Sequence, residues 1–274
     1  MEDYSKLFEY YTGADQLQKD DFKISPSGVE KFFSDKVQWY SENLLGLPRK
    51  FTGSTSTVLG TVVHAACEVV ANSKISGEPY DSEALHDAIA TYIDSYDNNE
   101  DYDTAKIHSL WKNMAEVLIK DYVLEANTIA TENFILHKLH DGIYVGGTYD
   151  AITSTVPNDD LYNPKGRLTV RDYKTASKKP TSFSYAYKLQ AYTYAYILHQ
   201  KGIKVSEVEL CYTIQPTKAK PNEFRTMNFT LPFDDQAYEF IEGILYLIAD
   251  SAQAFKALPE WRYLLMCDYR QKIT

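Results

Sequence analysis

Apolar side chains recur at Val29, Phe32, Phe33, Val37, Tyr40 and Leu44, the three-to-four spacing that gives a helix one buried face over Val29–Leu45. Ser25-Pro26-Ser27 ahead of it supplies a capping residue followed by proline, a helix start. Gly46 and Pro48 supply the stop. After a loop of Gly, Ser and Thr at Thr52–Thr57, a second helix is expected over about Val58–Asn72, with Leu59, Val62, Val63, Ala66 and Val70 on its apolar face. Residues 82–130 read as helical throughout, broken around the acidic stretch Asp97–Asp103.

The period then changes to two. Glu132–Lys138 and Ile143–Ile152 alternate like strands, with Asp141-Gly142 as the turn between them. Pro157–Gly166 is loop and Leu168–Lys174 a third strand. Tyr185–Lys201 is helix, ended by Gly202; Val205–Thr213 and Arg225–Leu231 are strands, and Phe233–Ala257 is a long last helix. Helices in front, three strands, a helix, more strand and a closing helix make an α/β core. No repeat, low-complexity tract or linker divides the chain. The reading is one domain over 1–274 with a helical insertion at about 75–130.

Composition excludes more than it proposes. Over 274 residues, 44% hydrophobic and 24% charged are ordinary fractions for a globular protein. No apolar run approaches the roughly 18 residues of a membrane span. The stretch MEDYSKLFEYYTG lacks the basic start and apolar run of a signal peptide, so a cytoplasmic location is expected. Cys67, Cys211 and Cys267 are too few and too scattered for a disulfide framework or a four-thiolate metal site. The net charge of -10 argues against a nucleic-acid partner. Local field outweighs total charge, however, and a metal site built from carboxylates adds to the acid count. The 23 tyrosines pack helices and sheet with their hydroxyls in water, or in a few cases stack on unpaired bases.

Chemistry concentrates on the third strand, Thr169-Val170-Arg171-Asp172-Tyr173-Lys174. Asp172 and Lys174, two apart, project to one side and Tyr173 to the other. Asp150 ends Gly146-Gly147-Thr148-Tyr149-Asp150 on the preceding strand, so a hairpin brings both carboxylates to one edge. Two hard oxygen ligands beside a lysine suit Mg²⁺ or Mn²⁺ and an anionic substrate. Such a metal activates water and polarises a phosphodiester, while Lys174 orients the water or neutralises phosphate charge. Taken alone, the short DxK pattern fits a surface salt bridge equally well.

Its neighbours change that. Gly60-Thr61-Val62-Val63-His64 precedes it and Gln190-Ala191-Tyr192-Thr193-Tyr194 follows, giving GxxxH, GxxD, DxK and QxxxY in order. With the opening Ser25-Pro26-Ser27 helix, this ordered set resembles the RecB-like branch of the PD-(D/E)XK nuclease superfamily, including the CRISPR-associated RecB-like exonucleases, over roughly residues 25–200. The resemblance implies a restriction-endonuclease-like core: a central mixed sheet flanked by helices, with additional N-terminal and C-terminal helices. It assigns His64, Asp150, Asp172 and the backbone carbonyl of Tyr173 to the metal, and Asp150, Asp172 and Lys174 to catalysis. The same resemblance implies that Gln190 and Tyr194 border the site and touch DNA. Glu132 matches an acid on the first core strand, and Glu68, one turn after His64, is a second accessory candidate. Cluster-bearing relatives carry a cysteine after the opening helix and three more near the C-terminus. Here Ser34-Asp35-Lys36 has none and Trp261–Arg270 holds only Cys267, so no iron–sulfur cluster is expected.

Lys178, Lys179 and Lys188 follow the active strand, and Lys218, Lys220 and Arg225 flank a loop with Pro216 and Pro221. They form a positive track for DNA, or equally a set of solvated surface lysines. Gly53-Ser54-Thr55 is not a Walker-type phosphate cradle, so no helicase motor is expected. The expected activity is an Mg²⁺- or Mn²⁺-dependent deoxyribonuclease, an exonuclease on single-stranded ends or overhangs. Its setting is phage or bacterial recombination, repair or replication, with proteins of those processes as partners. A nuclease-fold DNA-binding or adaptor protein without catalysis is the alternative: the net charge favours it and the intact acid, acid and lysine set disfavours it.

Overall fold

The computed structural model describes residues 4, 6–9, 11–18, 20–45, 47 and 53–258. Its first strand, β1 (Phe22–Ile24), is three residues long and was not expected from the pattern. The expected helix over 29–45 is two helices, α1 (Val29–Ser34) and α2 (Lys36–Asn43). Asp35 breaks it by leaving helical geometry at φ -150° and accepting the Gln38 N–H on its carboxylate, which caps α2. The stop expected at Gly46 and Pro48 lies outside the described residues.

α3 (Thr55–Ser76) starts where the Ser54 side chain accepts the Thr57 N–H and ends at Gly77, φ 75°. Then come α4 (Ser82–Asp94), α5 (Thr104–Leu118) and a π-helical turn at Ile119–Leu124. Helix does not continue to 130, as the sequence suggests. Lys74 of α3 donates to the carbonyls of Val123, Leu124 and Ala126 and ends the turn. β2 (Asn127–His140) then begins five residues earlier than its alternation, because Asn127–Thr131 find partners on a distant strand. β3 (Ile143–Ser154), β4 (Leu168–Ala176), α6 (Tyr185–Gln200), β5 (Val205–Ile214), β6 (Arg225–Pro232) and α7 (Asp235–Lys256) complete the order.

The six strands form one mixed sheet. β2 runs antiparallel along the whole of one flank of β3. The other flank is shared: β1 lies parallel to Ile143–Val145, and β4 antiparallel to Ala151–Ser154. Residues 146–150 of β3 therefore lack a strand partner on that flank. β4 pairs parallel with β5, and β5 antiparallel with β6.

The sheet separates two apolar cores. One joins α1, α2, α6 and α7 through Phe32, Trp39, Leu198 and Leu245; the other joins α3, α4 and α5 through Val63, Ile89 and Met114. Residues of β4 alternate between them: Val170 faces the first core and Tyr173 the second. Among the described residues no helix is long and apolar enough to cross a membrane.

Candidate active site

The β3–β4 ladder stops at Ala151 opposite Arg171. One residue further on, Asp150 and Asp172 stand where the strands part. The Tyr173 N–H, with no β3 carbonyl to meet, donates to the Asp150 carboxylate at 2.6 Å. The N–H and C=O of a strand residue point the same way, so the Tyr173 carbonyl also faces the gap. From β2 the Thr131 hydroxyl donates to the Asp150 backbone carbonyl at 2.6 Å and fixes the carboxylate's base.

α3 brings His64 over this point, with Nδ1 3.3 Å from the same Asp150 oxygen that Tyr173 uses. A glycine permits the close approach on the β3 side: a Cβ on Gly147 would stand 2.8 Å from Pro26 Cδ, whereas one on Gly60 of α3 would make only ordinary contact with the Thr175 hydroxyl at 3.6 Å. Gly147 thus lets the Ser-Pro-Ser turn press on the unpaired stretch, while Gly146 lets β2 approach closely at Ile135 and Leu136.

Lys174 places Nζ 2.5 Å from Asp172 Oδ2, 3.5 Å from Gln190 Oε1 and 4.8 Å from the Tyr187 ring centre. Glu132 lies between the pairs Thr131–Ala151 and Asn133–Tyr149, opposite Asp150. Its backbone is left-handed, φ 47°. For a side chain without Asn or Gly character that costs on the order of 1–3 kcal/mol, and such strain collects at functional sites. One ligand atom each from His64, Glu132 and Asp150 lie within 4.8 Å of one another. No hydrogen bond or ion pair to Glu132 is found among the described residues.

Four acids, Glu68, Glu132, Asp150 and Asp172, share this place with Lys174 and His64. Burial, then the neighbouring Asp150, Glu68 and Asp172, push Glu132 up to about 10. Burial and Asp150 raise Glu68 to about 7. For Asp150 burial works upward, but His64, Lys174 and the Tyr173 N–H outweigh it and hold the carboxyl below its usual range. His64 is the mirror case: burial works downward, and Asp150 carries it above its ordinary value. Lys174 and Asp172 pull in opposite senses. Burial lowers Lys174 but Asp172 and Asp150 raise it overall; burial, with Asp150 among the causes, raises Asp172 despite Lys174. The 2.5 Å contact decides for an ion pair. Acids that hold protons against their usual chemistry mark a site short of positive charge, which a divalent cation supplies. The donor set fits such an ion: one imidazole, carboxylates and a backbone carbonyl, all aimed at one gap.

A cleft of about 480 Å³ opens here between the Ser-Pro-Ser turn, α3 and the β2–β3 pair, lined by His64, Glu68, Glu132, Asp150 and Tyr194. The candidate metal group is thus His64, Asp150 and the Tyr173 carbonyl, with Glu132 closer than an accessory role suggests and Asp172 engaged by Lys174. Gln190 and Tyr194 share one face of α6. Gln190 meets Lys174, and Tyr194 is buried in the cleft wall, its hydroxyl pushed up by burial. Lys178 and Lys179 are exposed just past β4. Lys188 turns elsewhere, 5.3 Å over Tyr192 and 5.9 Å over Phe240 of α7. Lys220 pairs with Glu223 at 2.6 Å and Arg225 approaches the same acid, so the Lys218–Arg225 loop does not extend the track of Lys178 and Lys179. Cys67 and Cys211 are buried, and burial pushes both thiols well up; Cys267 lies outside the described residues.

Two residues went unread in the sequence. Tyr187 falls on the helical register of Gln190 and Tyr194 and was open to the same spacing argument. Thr131 acts only through the β2–β3 register and left no signal.

The family model of the PD-(D/E)XK nuclease superfamily matches residues 23–271. No curated protein matches. Among solved structures, one from Eubacterium rectale, described provisionally as an exonuclease, is 14% identical, with 92% of this chain and 86% of that one covered and a TM-score of 0.51. An alkaline exonuclease from Laribacter hongkongensis is 11% identical, with 91% and 94% covered and a TM-score of 0.36. A phage-related exonuclease from Haemophilus somnus is 10% identical, with 76% and 95% covered and a TM-score of 0.32. The first likeness bears on the fold; the other two are too distant to bear on anything further.

Proposed function

The chain belongs to the PD-(D/E)XK nuclease superfamily, and from that premise we propose that it is an Mg²⁺- or Mn²⁺-dependent deoxyribonuclease, an exonuclease on single-stranded ends or overhangs. The observation that carries this reading is the meeting of His64, Glu132 and Asp150 ligand atoms within 4.8 Å, beside a lysine held by Asp172. Asp150, Asp172, His64 and the Tyr173 carbonyl would hold the ion, with Glu132 joining them. The ion supplies Lewis-acid activation of water and of the phosphodiester.

The remaining work falls to side chains. Asp172 keeps Lys174 charged and aimed, and Lys174 orients the attacking water or neutralises charge developing on the phosphate. The water oxygen bonds to phosphorus in line, giving up one proton to solvent, as the ester bond opposite breaks, and the departing sugar oxygen takes a proton from solvent. Asp150, anchored by Thr131 and Tyr173, fixes where this happens. Gln190 sets the far side of Lys174, and Tyr194 closes the cleft wall. The proposed setting is phage or bacterial recombination, repair or replication in the cytosol. Its partner is DNA with free ends.

Digestion of 5′- and 3′-labelled single strands, duplexes and circles with Mg²⁺ or Mn²⁺ tests the reading. Linear strands should shorten from an end and circles should survive. Cut circles would replace the exonuclease with an endonuclease. Oligonucleotide binding without cleavage in either metal would favour the adaptor reading.

A further inference from the structure

A second hollow, about 440 Å³, lies at the other end of α3 from Glu68. It is lined by Thr55, Ser56, Lys106, Thr175, Lys178 and Gln215, drawn from the first turn of α3, from α5, and from the ends of β4 and β5. Among the described residues no acid lines it, in a chain of net charge -10. Lys106 and Lys178 form no ion pair among the described residues, whereas Lys31, Lys138 and Lys220 are each matched by a carboxylate. The first turn of α5 is fixed where Lys106 leaves it: the Lys106 backbone N–H donates to the capping Asp103 carboxylate at 2.9 Å, and the Asp103 N–H donates to the Thr55 hydroxyl at 2.9 Å. The second bond fastens the start of α5 to the start of α3.

The hollow adjoins the metal cleft. Ser56 and Leu59 line the hollow, while Gly60, Thr61, His64 and Glu68 line the cleft, in sequence along one helix. They meet where Gly60 passes Thr175, the residue after Lys174. A glycine in mid-helix costs roughly 1 kcal/mol against alanine. Here the crossing between α3 and β4 is open, and a Cβ would make ordinary contact with the Thr175 hydroxyl. From Ser56 to His64 the helix rises about 12 Å, a few phosphates along a strand. The charge changes sign along the way, from Lys106 and Lys178 at one end to Glu68, Glu132 and Asp150 at the other.

Resting on the nuclease reading, we infer that this hollow is a subsite for backbone phosphates of the substrate strand, to which the helical insertion contributes Lys106. The strand lies along α3, its uncut part over Lys106 and Lys178 and its scissile phosphate at His64 and Asp150. The released end lies on the Glu68 side.

The test compares wild type, the double variant Lys106→Ala/Lys178→Ala, its arginine counterpart, and Lys204→Ala. Lys204 is an exposed lysine just before β5, at the far end of that strand from Gln215. Anisotropy of a labelled single strand in chelator reads binding, and initial rates with Mn²⁺ read KM and kcat across a salt series. For the double alanine variant we expect about tenfold weaker binding, a matching rise in KM with little change in kcat, and a salt slope shallower by about 1.4, two contacts' worth. The arginine variant should restore binding and Lys204→Ala should match wild type. Unchanged binding and slope in the double alanine variant, or equal loss in Lys204→Ala, overturns the subsite. A wild type that binds but never cleaves removes the nuclease reading, and the anisotropy series still decides the subsite.

Discussion

β4 carries two buried cation–carboxylate pairs, and they face opposite sides of the sheet. Arg171 meets Glu209 of β5 at 2.5 Å and donates to the Tyr122 carbonyl at 2.7 Å. Asn228 donates to the other Glu209 oxygen at 2.5 Å, and Thr230 reaches it at 3.5 Å. Both partners are supplied from several directions, and the pair joins the π-helical turn to the β5–β6 edge. Lys174 and Asp172 are as close, yet among the described residues Asp172 Oδ2 accepts no hydrogen bond besides the ammonium's, and further acids crowd it. Buried charge is costly unless its partners are complete. One pair is complete and serves the fold. The other is left short of positive charge, which suits the cation and phosphate proposed for it.

The comparison can be broken at either pair. The largest effect expected is from Asp172→Asn: metal-dependent DNA degradation should fall to background while the melting temperature stays level or rises. A fall in melting temperature like that of an Arg171 variant would mean that Asp172 serves the fold after all. Arg171→Met should do the reverse, leaving Glu209 buried without its cation and costing about 3–5 kcal/mol in urea unfolding. The molecules that remain folded should cleave at the wild-type rate.

Lys174→Ala should slow cleavage by roughly 10²- to 10³-fold, the usual cost of losing one group that stabilises the transition state. Calorimetric Mn²⁺ titration should find its metal affinity mostly intact. The last test concerns Glu132. Its folded, metal-free value of about 10 lies above the ordinary carboxylate range. Between those limits the folded state binds the extra proton. Stability of the metal-free protein should therefore be fullest at acid pH on this account and decline as pH rises toward 10. Melting in chelator from about pH 6 to 9 should show that decline, with Mn²⁺ reversing it and Glu132→Gln flattening it. A profile indifferent to the Gln substitution would remove Glu132 from the metal group.

The sequence made the long periodic elements legible because their pattern is local. The helix at 185–200 and the strands at 205–214 and 225–232 lie within a residue or two of expectation. What it hid depends on distant partners. Phe22–Ile24 is a strand only because β3 lies beside it, and the end of the insertion is set by Lys74 from about fifty residues away. The site shows the same division. Motif spacing pointed to His64, Asp150, Asp172 and Lys174, whose side-chain directions follow from helix and strand geometry. Glu132, matched there only as an accessory acid, reaches the centre through a backbone conformation that no propensity announces.

The shared flank of β3 has one more consequence. Between the end of β1 and the first β4 pairing, alternate amides of residues 146–150 point away from β2 into the gap instead of into a ladder. In deuterated solvent these amides should form a fast-exchanging island inside an otherwise slow sheet. Whatever fills the gap should slow them, so occupancy of this centre can be followed by mass on a single short peptide, with no substrate turned over.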